Sequence, residues 1–397
     1  MLLLSMLAVG VAQGFGRFSY ALVLPALNRD VLHSYALAGL LATANVAAYL
    51  AGTALVSLAS TRYDAATLMR GGIAASAGGL VVLAVAPGIP VLAAGMVLTG
   101  LGGAFVWVPA PGLAGSVVAP ARRGSAVGVA GAGIGVGVVF ASQLAGVVHH
   151  VFGQQAWREV WAVEAAIAVV VLIAVLRWLN PPTTERTGGH VRVSVLREVP
   201  GWAGLLLGYA TYGLSMAIFM NYVVAALEGD SGFSLTHAST IFAVVGLVLV
   251  PAGVLLGRLS DRVGRRPTLV LGYLLMSAGA LLVPLGAEPA ATVAAVVFAL
   301  AMGGLPTVIA AHVGEHLSTQ AFGAAFGTLT LFFGVAQVVG PQLGGALAER
   351  TGSFALSFVV SAAVAALGAA CSLLVPGRTD PGRRPGRVKR AVGDAER

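Results

Sequence analysis

The 397 residues are 58% hydrophobic and only 10% charged, with a mean hydropathy of +0.91 and a formal net charge of +8. A composition this apolar excludes a soluble globular domain, and the single cysteine, Cys371, excludes an intramolecular disulfide and a cysteine metal cluster. Apolar stretches of about 20 residues, enough for a helix to cross a bilayer, recur along nearly the whole chain. Six are predicted at residues 2–25, 35–58, 68–87, 90–117, 124–148 and 156–179, and six more at 200–226, 237–257, 267–286, 290–313, 321–348 and 353–375. Lipid offers backbone amides no partner and the stretches are too long for barrel strands, so the fold class is an all-α membrane protein. The first span has no basic leader and runs on into Arg17 and Pro25, which reads as a mature helix and not a secretory signal.

Arginines mark one side of the membrane. With a cytoplasmic N-terminus, the inside segments hold Arg62, Arg70, Arg122, Arg123, Arg177, Arg186, Arg192, Arg197, Arg258, Arg262, Arg265, Arg266 and the tail cluster from Arg378 to Arg397, against Arg29, Arg158 and Arg350 outside. This asymmetry accounts for the net charge without nucleic acid and places both termini in the cytoplasm. The tail PGRRPGRVKR suits anionic headgroups. Lys389 is the only lysine, a usage that suits a GC-rich bacterial genome and hence a bacterial cytoplasmic membrane.

The polar interval from Asn180 to Val199 divides the chain into a bundle at 1–179, a linker at 180–199, a second bundle at 200–376 and a basic tail at 377–397. Ser34, Ser60 and Arg62 fall on Ser234, Ser260 and Arg262, 200 positions on. Gly124, Gly128, Gly135 and Gln143 fall on Gly323, Gly327, Gly334 and Gln342, 199 positions on. Two parallel six-helix repeats place a ligand site between them near the midplane.

Between the eighth and ninth spans, Gly257 to Pro267 reads GRLSDRVGRRP, which resembles the cytoplasmic signature loop of the major facilitator superfamily (MFS). The first-half counterpart LASTRYDAATLM keeps Arg62 but has Thr61 in place of Asp261. The glycine-rich GVAGAGIGVG and FGVAQVVGPQLGG resemble helices of the antiporter branch, although glycine for close helix packing explains them equally. The opening GFGRFSYALVLPAL and the second span SYALAGLLATANVAAYLAG are similar to an uncharacterised bacterial branch of that superfamily. The resemblance implies a latch in which Gly257 permits close helix approach and Asp261 binds a neighbouring helix end and arginines, with Arg62, Arg262, Arg265 and Arg266 as further gating residues. It also implies a cavity lined by the first, fourth, seventh and tenth spans.

Arg17 stands out because a charge deep in a span is expensive and usually functional. It suits an anionic substrate group or a gating carboxylate, or else a structural bond to backbone carbonyls. Gln13, Arg17 and Tyr20 share one face at α-helical spacing. Asn45 and Tyr49 on the second span, Trp107 beside the proline break of the fourth, Tyr212 and Met216 on the seventh and Gln337 on the eleventh complete the candidate substrate lining. Glu164, about 10 Å into the sixth helix, is a candidate for proton coupling, with a local pair or snorkelling as the alternative. His312, Glu315 and His316 spell HVGEH, which matches a zinc-peptidase pattern. No further carboxylate ligand follows in suitable context, so a polar gate cluster in which His312 and Glu315 sense protons is expected instead of a metal.

The sequence thus predicts a secondary transporter working by alternating access, not an enzyme. Export of small amphipathic compounds is the first expectation, and uptake of a small organic anion held by Arg17 the alternative. Expected partners are a small-molecule substrate and the lipid bilayer, with no cofactor and no nucleic acid, and a monomer is expected to suffice.

Overall fold

The computed structural model describes residues 1–119, 122–179 and 193–377. Among them, twelve helices are long and apolar enough to cross a membrane. They are α1 Leu2–Leu32, α2 Tyr35–Ala59, α3 Ala65–Ala84, α4 Ile89–Ser116, α5 Arg123–Phe152, α6 Trp157–Trp178, α7 Trp202–Gly229, α8 Leu235–Val263, α9 Arg265–Leu285, α10 Glu288–His316, α11 Ala321–Thr351 and α12 Ala355–Ser372. Each overlaps a predicted span. The first runs furthest beyond expectation, because helical backbone continues through Pro25 to Leu32. The fourth is interrupted as expected, with regular helix at Ile89–Trp107 and again at Ala110–Ser116 around Pro109.

Helix starts follow local chemistry. The Ser34 hydroxyl accepts the Leu37 amide at 3.2 Å at the head of α2, and Ser234 accepts the His237 amide at 3.2 Å at the head of α8. Each satisfies an otherwise orphaned donor of the first turn. The repeat of serines 200 residues apart is therefore a repeat of caps. Asp64 caps α3, and the Thr67 amide at 2.8 Å holds its carboxyl below the ordinary carboxylate range.

Helices α1–α6 and α7–α12 form two bundles that meet chiefly along α5 with α8 and α2 with α11. One membrane face carries Arg62, Arg122, Arg123, Arg177, Arg258, Arg262, Arg265 and Arg266; the other carries Asp30, Glu228, Asp230, Glu288 and Glu349. These are the basic and acidic faces below. Bonds that join the bundles run from the membrane middle to the acidic face: Thr43 Oγ1 to the Val338 carbonyl at 3.0 Å, Arg29 to Glu228 at 2.5 Å, and the Tyr35 amide to Glu349 at 2.7 Å. Backbones touch there as well. A Cβ on Gly135 of α5 would lie 2.5 Å from the Gly246 carbonyl oxygen of α8, and one on Gly39 of α2 at 2.5 Å from that of Pro341 on α11. Nearer the basic face, a Cβ on Gly124 or Gly128 of α5, or on Gly323 or Gly327 of α11, would meet nothing within 4 Å. The bundles are pressed together on the acidic side and part toward the basic side.

Of the predicted linker, Val193–Leu196 is a short helical turn, and Leu196 and Val199 are fully buried. Residues 180–192, with Arg186 and Arg192, and the tail from Arg378 lie outside the described residues.

Candidate functional site

The site is built around the middle of α1. Between Gly10 and Phe18 this helix is π-helical, and the Ser19 amide donates to the Gly14 carbonyl five residues back at 2.8 Å. Such segments are rare and frequent at functional sites. Glycine makes the local packing feasible: a Cβ on Gly14 would lie 2.6 Å from the Gly137 backbone of α5. With α1 reaching Leu32, Arg17 sits at the midpoint of 31 residues, deeper than its distance from Pro25 suggests.

The wider turn breaks the expected common face of Gln13, Arg17 and Tyr20, because π-helical residues do not repeat every 3.6 positions. Gln13 donates to the Gly103 carbonyl of α4 at 3.2 Å, and the Tyr20 hydroxyl to the Ala38 carbonyl of α2 at 2.9 Å. Both are buried ties between helices. Arg17 alone of the three turns to the interface between the bundles. Its guanidinium donates to the Gln337 side-chain oxygen on α11 and lies 4.6 Å from the centre of the Tyr49 ring. Gln337 in turn points its amide nitrogen at the Met216 sulfur, 3.7 Å away.

Arg17 and Phe18 face Ala42, Asn45 and Val46 of α2, Met96 of α4, Met216, Ala217, Met220 and Asn221 of α7, and Gln337 across a shared central cavity. The enclosed space is about 10 Å³, at the threshold for a single water. None of these eleven residues is acidic. Of the expected first, fourth, seventh and tenth spans, α1, α4 and α7 line this cavity and α10 does not; α2 and α11 join them, with Asn45 and Gln337 placed as expected. Asn45 forms wall and brace together, its amide donating to the carbonyls of Gly16 at 3.1 Å and Met96 at 3.0 Å and to Thr99 Oγ1 at 3.0 Å. Tyr212 is buried beside this lining, with its hydroxyl bonded to the Met302 carbonyl at 2.8 Å and its ring stacked on Phe333. Trp107 stands apart, toward the basic face near Gly131 of α5. Asn221 was not singled out in the sequence; its signal is a lone amide one turn past Met216 and Ala217.

At the basic face Asp261 meets an arginine at the head of the neighbouring helix, and that arginine holds more partners than the aspartate. Asp261, whose side chain is 65% exposed, accepts from Arg265 at 2.7 Å, one turn along the chain. Arg265 is the hub: it also donates to Ser260 at 2.8 Å and binds Glu315 of α10 at 2.5 Å. A guanidinium with five donors can hold several acceptors at once, and Arg265, the first residue of α9, so joins α8, α9 and α10. Gly257 is not a tight contact either, since a Cβ there would sit 3.5 Å from Thr307, an ordinary distance. Arg62 and Arg262 are exposed on the same face, and Arg266 borders a membrane-facing groove with Leu271 and Leu274. His312, Glu315 and His316 bring one donor atom each within 4.8 Å of one another. His312 Nε2 faces the Pro200 carbonyl at 3.0 Å, His316 Nδ1 faces the His312 carbonyl at 2.8 Å, and Glu315 is bound to Arg265. The cluster ties elements of the second bundle together.

Glu164 is fully buried, so snorkelling is excluded. Its Oε2 accepts from the Ser19 hydroxyl of α1 at 2.9 Å.

A family model described as "Uncharacterised MFS-type transporter YbfB" matches residues 9–373. The chain is 30% identical over 165 residues to the uncharacterised MFS-type transporter YfiU of Bacillus subtilis, covering 40% of this chain and 31% of that protein. It is 29% identical over 197 residues to the probable sulfoacetate transporter SauU of Cupriavidus necator, covering 46% and 45%. It is 26% identical over 266 residues to a putative tartrate transporter of Agrobacterium vitis, covering 59% of each chain. These matches span between 31% and 59% of the relatives' own length. Among solved structures, a D-xylose-proton symporter superposes with a TM-score of 0.77 at 16% identity, covering 95% of this chain and 97% of that one. An inward-facing, occupied bacterial homologue of the human lysosomal transporter Spinster gives 0.75 at 18%, covering 94% and 95%. At these identities the likeness shows a shared fold.

Proposed function

The chain belongs to this family of MFS-type transporters, and from that premise we propose that it carries a small organic anion across the membrane by alternating access, with Arg17 as the residue that holds the anion. The observation that carries the reading is a guanidinium at the midpoint of α1, between the bundles, in a lining with no carboxylate. A charge at that depth is expensive. Here it is offset by the face of Tyr49 and the oxygen of Gln337, neither of which carries a charge. A carboxylate or sulfonate supplies the missing countercharge and matches the planar fork of arginine, which bonds such groups through two parallel N–H donors. Asn45, Asn221 and three methionines, Met96, Met216 and Met220, provide polar and adaptable apolar contact for the rest of a small molecule.

Of the two substrate classes expected from sequence, an organic anion suits this lining better than a cationic amphiphile, which would meet Arg17. The names given to the sulfoacetate and tartrate relatives support the same class. Placing the basic face in the cytoplasm follows the positive-inside rule. The arrangement is then closed to the outside, and opening outward requires the Arg29 to Glu228 and Tyr35 to Glu349 bonds to break. A bound anion competes with Gln337 for the guanidinium, so loading loosens one of the bonds that join the bundles.

The test is thermal unfolding of the purified protein in detergent with tartrate, sulfoacetate, sugars and lipophilic cations, comparing wild type, Arg17→Lys and Arg17→Gln. An anion at 100 times its Kd should stabilise the wild type by about 2.7 kcal/mol. The effect should shrink in Arg17→Lys and shrink further in Arg17→Gln. Equal stabilisation of wild type and Arg17→Gln, or stabilisation by cations alone, overturns the assignment.

A further inference from the structure

Glu164 is the one carboxyl among the described residues that lies well inside a membrane-crossing helix; the others on these helices stand within three residues of an end. It is the eighth residue of α6, about 10 Å in by the helical rise. No part of it is exposed. Oε2 takes the Ser19 hydroxyl, and Oε1 has no hydrogen-bond partner.

The surroundings supply no cation to balance a charge. Helices α1, α3 and α5 pack on α6. On α1, Arg17 is turned to Gln337 and Tyr49 and Tyr20 to the Ala38 carbonyl. Arg70 of α3 donates to the Leu179 carbonyl near the basic face, and His149 of α5 is buried toward the acidic face beside Leu22. Arg158 of α6 itself binds Asp30 at 3.1 Å, at the acidic rim. An ionised carboxylate held by one hydroxyl in such a place carries a penalty of several kcal/mol. The neutral acid does not.

The bond partner gives the site its reach. Ser19 closes the π-helical segment through its own amide and stands two residues after Arg17, so Glu164 grips the same turn that presents the guanidinium. Returning that turn from i→i+5 to i→i+4 bonding would shift it by one residue, a rotation of about 100°, and would part Ser19 from Glu164.

We propose that Glu164 is a proton-binding site coupled to Arg17 through Ser19 and the π-helical turn, so that one proton travels with the anion. The proton adds to a carboxylate oxygen from water when α1 and α6 part, cancels one charge of the co-transported anion, and leaves to water on the other side as the carboxylate re-forms. The coupling rests on the anion reading above, whereas the protonated state of Glu164 does not.

The experiment has two arms. Infrared spectra of the purified protein at neutral pH are recorded for wild type, Glu164→Gln and Ser19→Ala. A carbonyl-stretch band of a neutral, buried carboxyl should be present in wild type, absent in Glu164→Gln and shifted in Ser19→Ala. Absence of the band from wild type, or its survival in Glu164→Gln, overturns the site. No substrate is needed, so this arm stands if no anion binds. In proteoliposomes with tartrate on both sides and the membrane potential clamped at zero, an inward gradient of one pH unit can drive about tenfold accumulation through one coupled proton, each unit being a factor of ten in proton activity. Glu164→Gln should abolish that accumulation while tartrate exchange at equal pH persists; accumulation equal to wild type overturns the coupling.

Discussion

Substituting Gly135 with alanine should drive α5 and α8 apart near the membrane middle and so loosen the closed acidic side. Its Cβ would stand 2.5 Å from the Gly246 carbonyl oxygen and 2.8 Å from Val250 Cγ2. Ordinary contact begins at 3.4 Å, so the shortfall against the oxygen is 3.4 − 2.5 = 0.9 Å. A backbone oxygen inside a helix cannot rotate away as a side chain can, so α5 and α8 must separate. Overpacking of this kind costs about 1–3 kcal/mol, and the penalty falls only on the arrangement in which the two helices touch. The equilibrium between closed and open acidic faces should therefore shift by about 5- to 150-fold toward open. Gly128→Ala is the internal control, on the same helix with nothing within 4 Å of its Cβ. Spin labels at Gln154→Cys and Ala287→Cys, both exposed at the acidic face of opposite bundles, report the separation by pulsed electron resonance in a Cys371→Ser background. A longer distance in Gly135→Ala and none in Gly128→Ala is expected. An unchanged distribution in Gly135→Ala, or an equal change in both, refutes the reasoning.

Other consequences can be read in the same preparations. Arg17→Gln should weaken anion binding by about 1.5–3 kcal/mol, the worth of a hydrogen bond to a charged group, measured as the ligand concentration needed for half-maximal thermal shift. Asn45→Leu removes the amide that ties Gly16, Met96 and Thr99 together, so it should destabilise by about 1–3 kcal/mol, seen as a lower unfolding temperature without ligand. At the basic face, a double-mutant cycle between Arg265 and Glu315 should give a coupling of about 0.2–1 kcal/mol that fades with salt. The cycle with the more exposed Asp261 should give less, and the reverse order would return the latch to the aspartate.

The architecture was largely legible because its signals are coarse. A bilayer demands runs of about 20 apolar residues, and all twelve are visible without any knowledge of contacts. The paired caps Ser34 and Ser234 carry the repeat because a helix start has a local rule. Arg17 was legible from depth alone. What its neighbours do was not, since the common face of Gln13, Arg17 and Tyr20 assumes 3.6 residues per turn and the helix abandons that period at Gly10. Nor does spacing say that Asn45 spends its amide on Gly16, Met96 and Thr99, or that α10 stays out of the lining; these depend on how closely the helices approach. Asp261 and Arg265 stand four residues apart, which makes their pair readable, but Glu315 lies 50 residues from Arg265, and only the fold shows which of the two charges is the hub.

The small volume at the centre has a consequence for the resting membrane. Space for at most one water beside Arg17 leaves no room for a file of water molecules past the guanidinium. Protons hop along such files and small ions travel hydrated within them, so an idle copy offers neither a conductive path. A cell can then keep many copies in its membrane without short-circuiting the gradients on which other carriers draw.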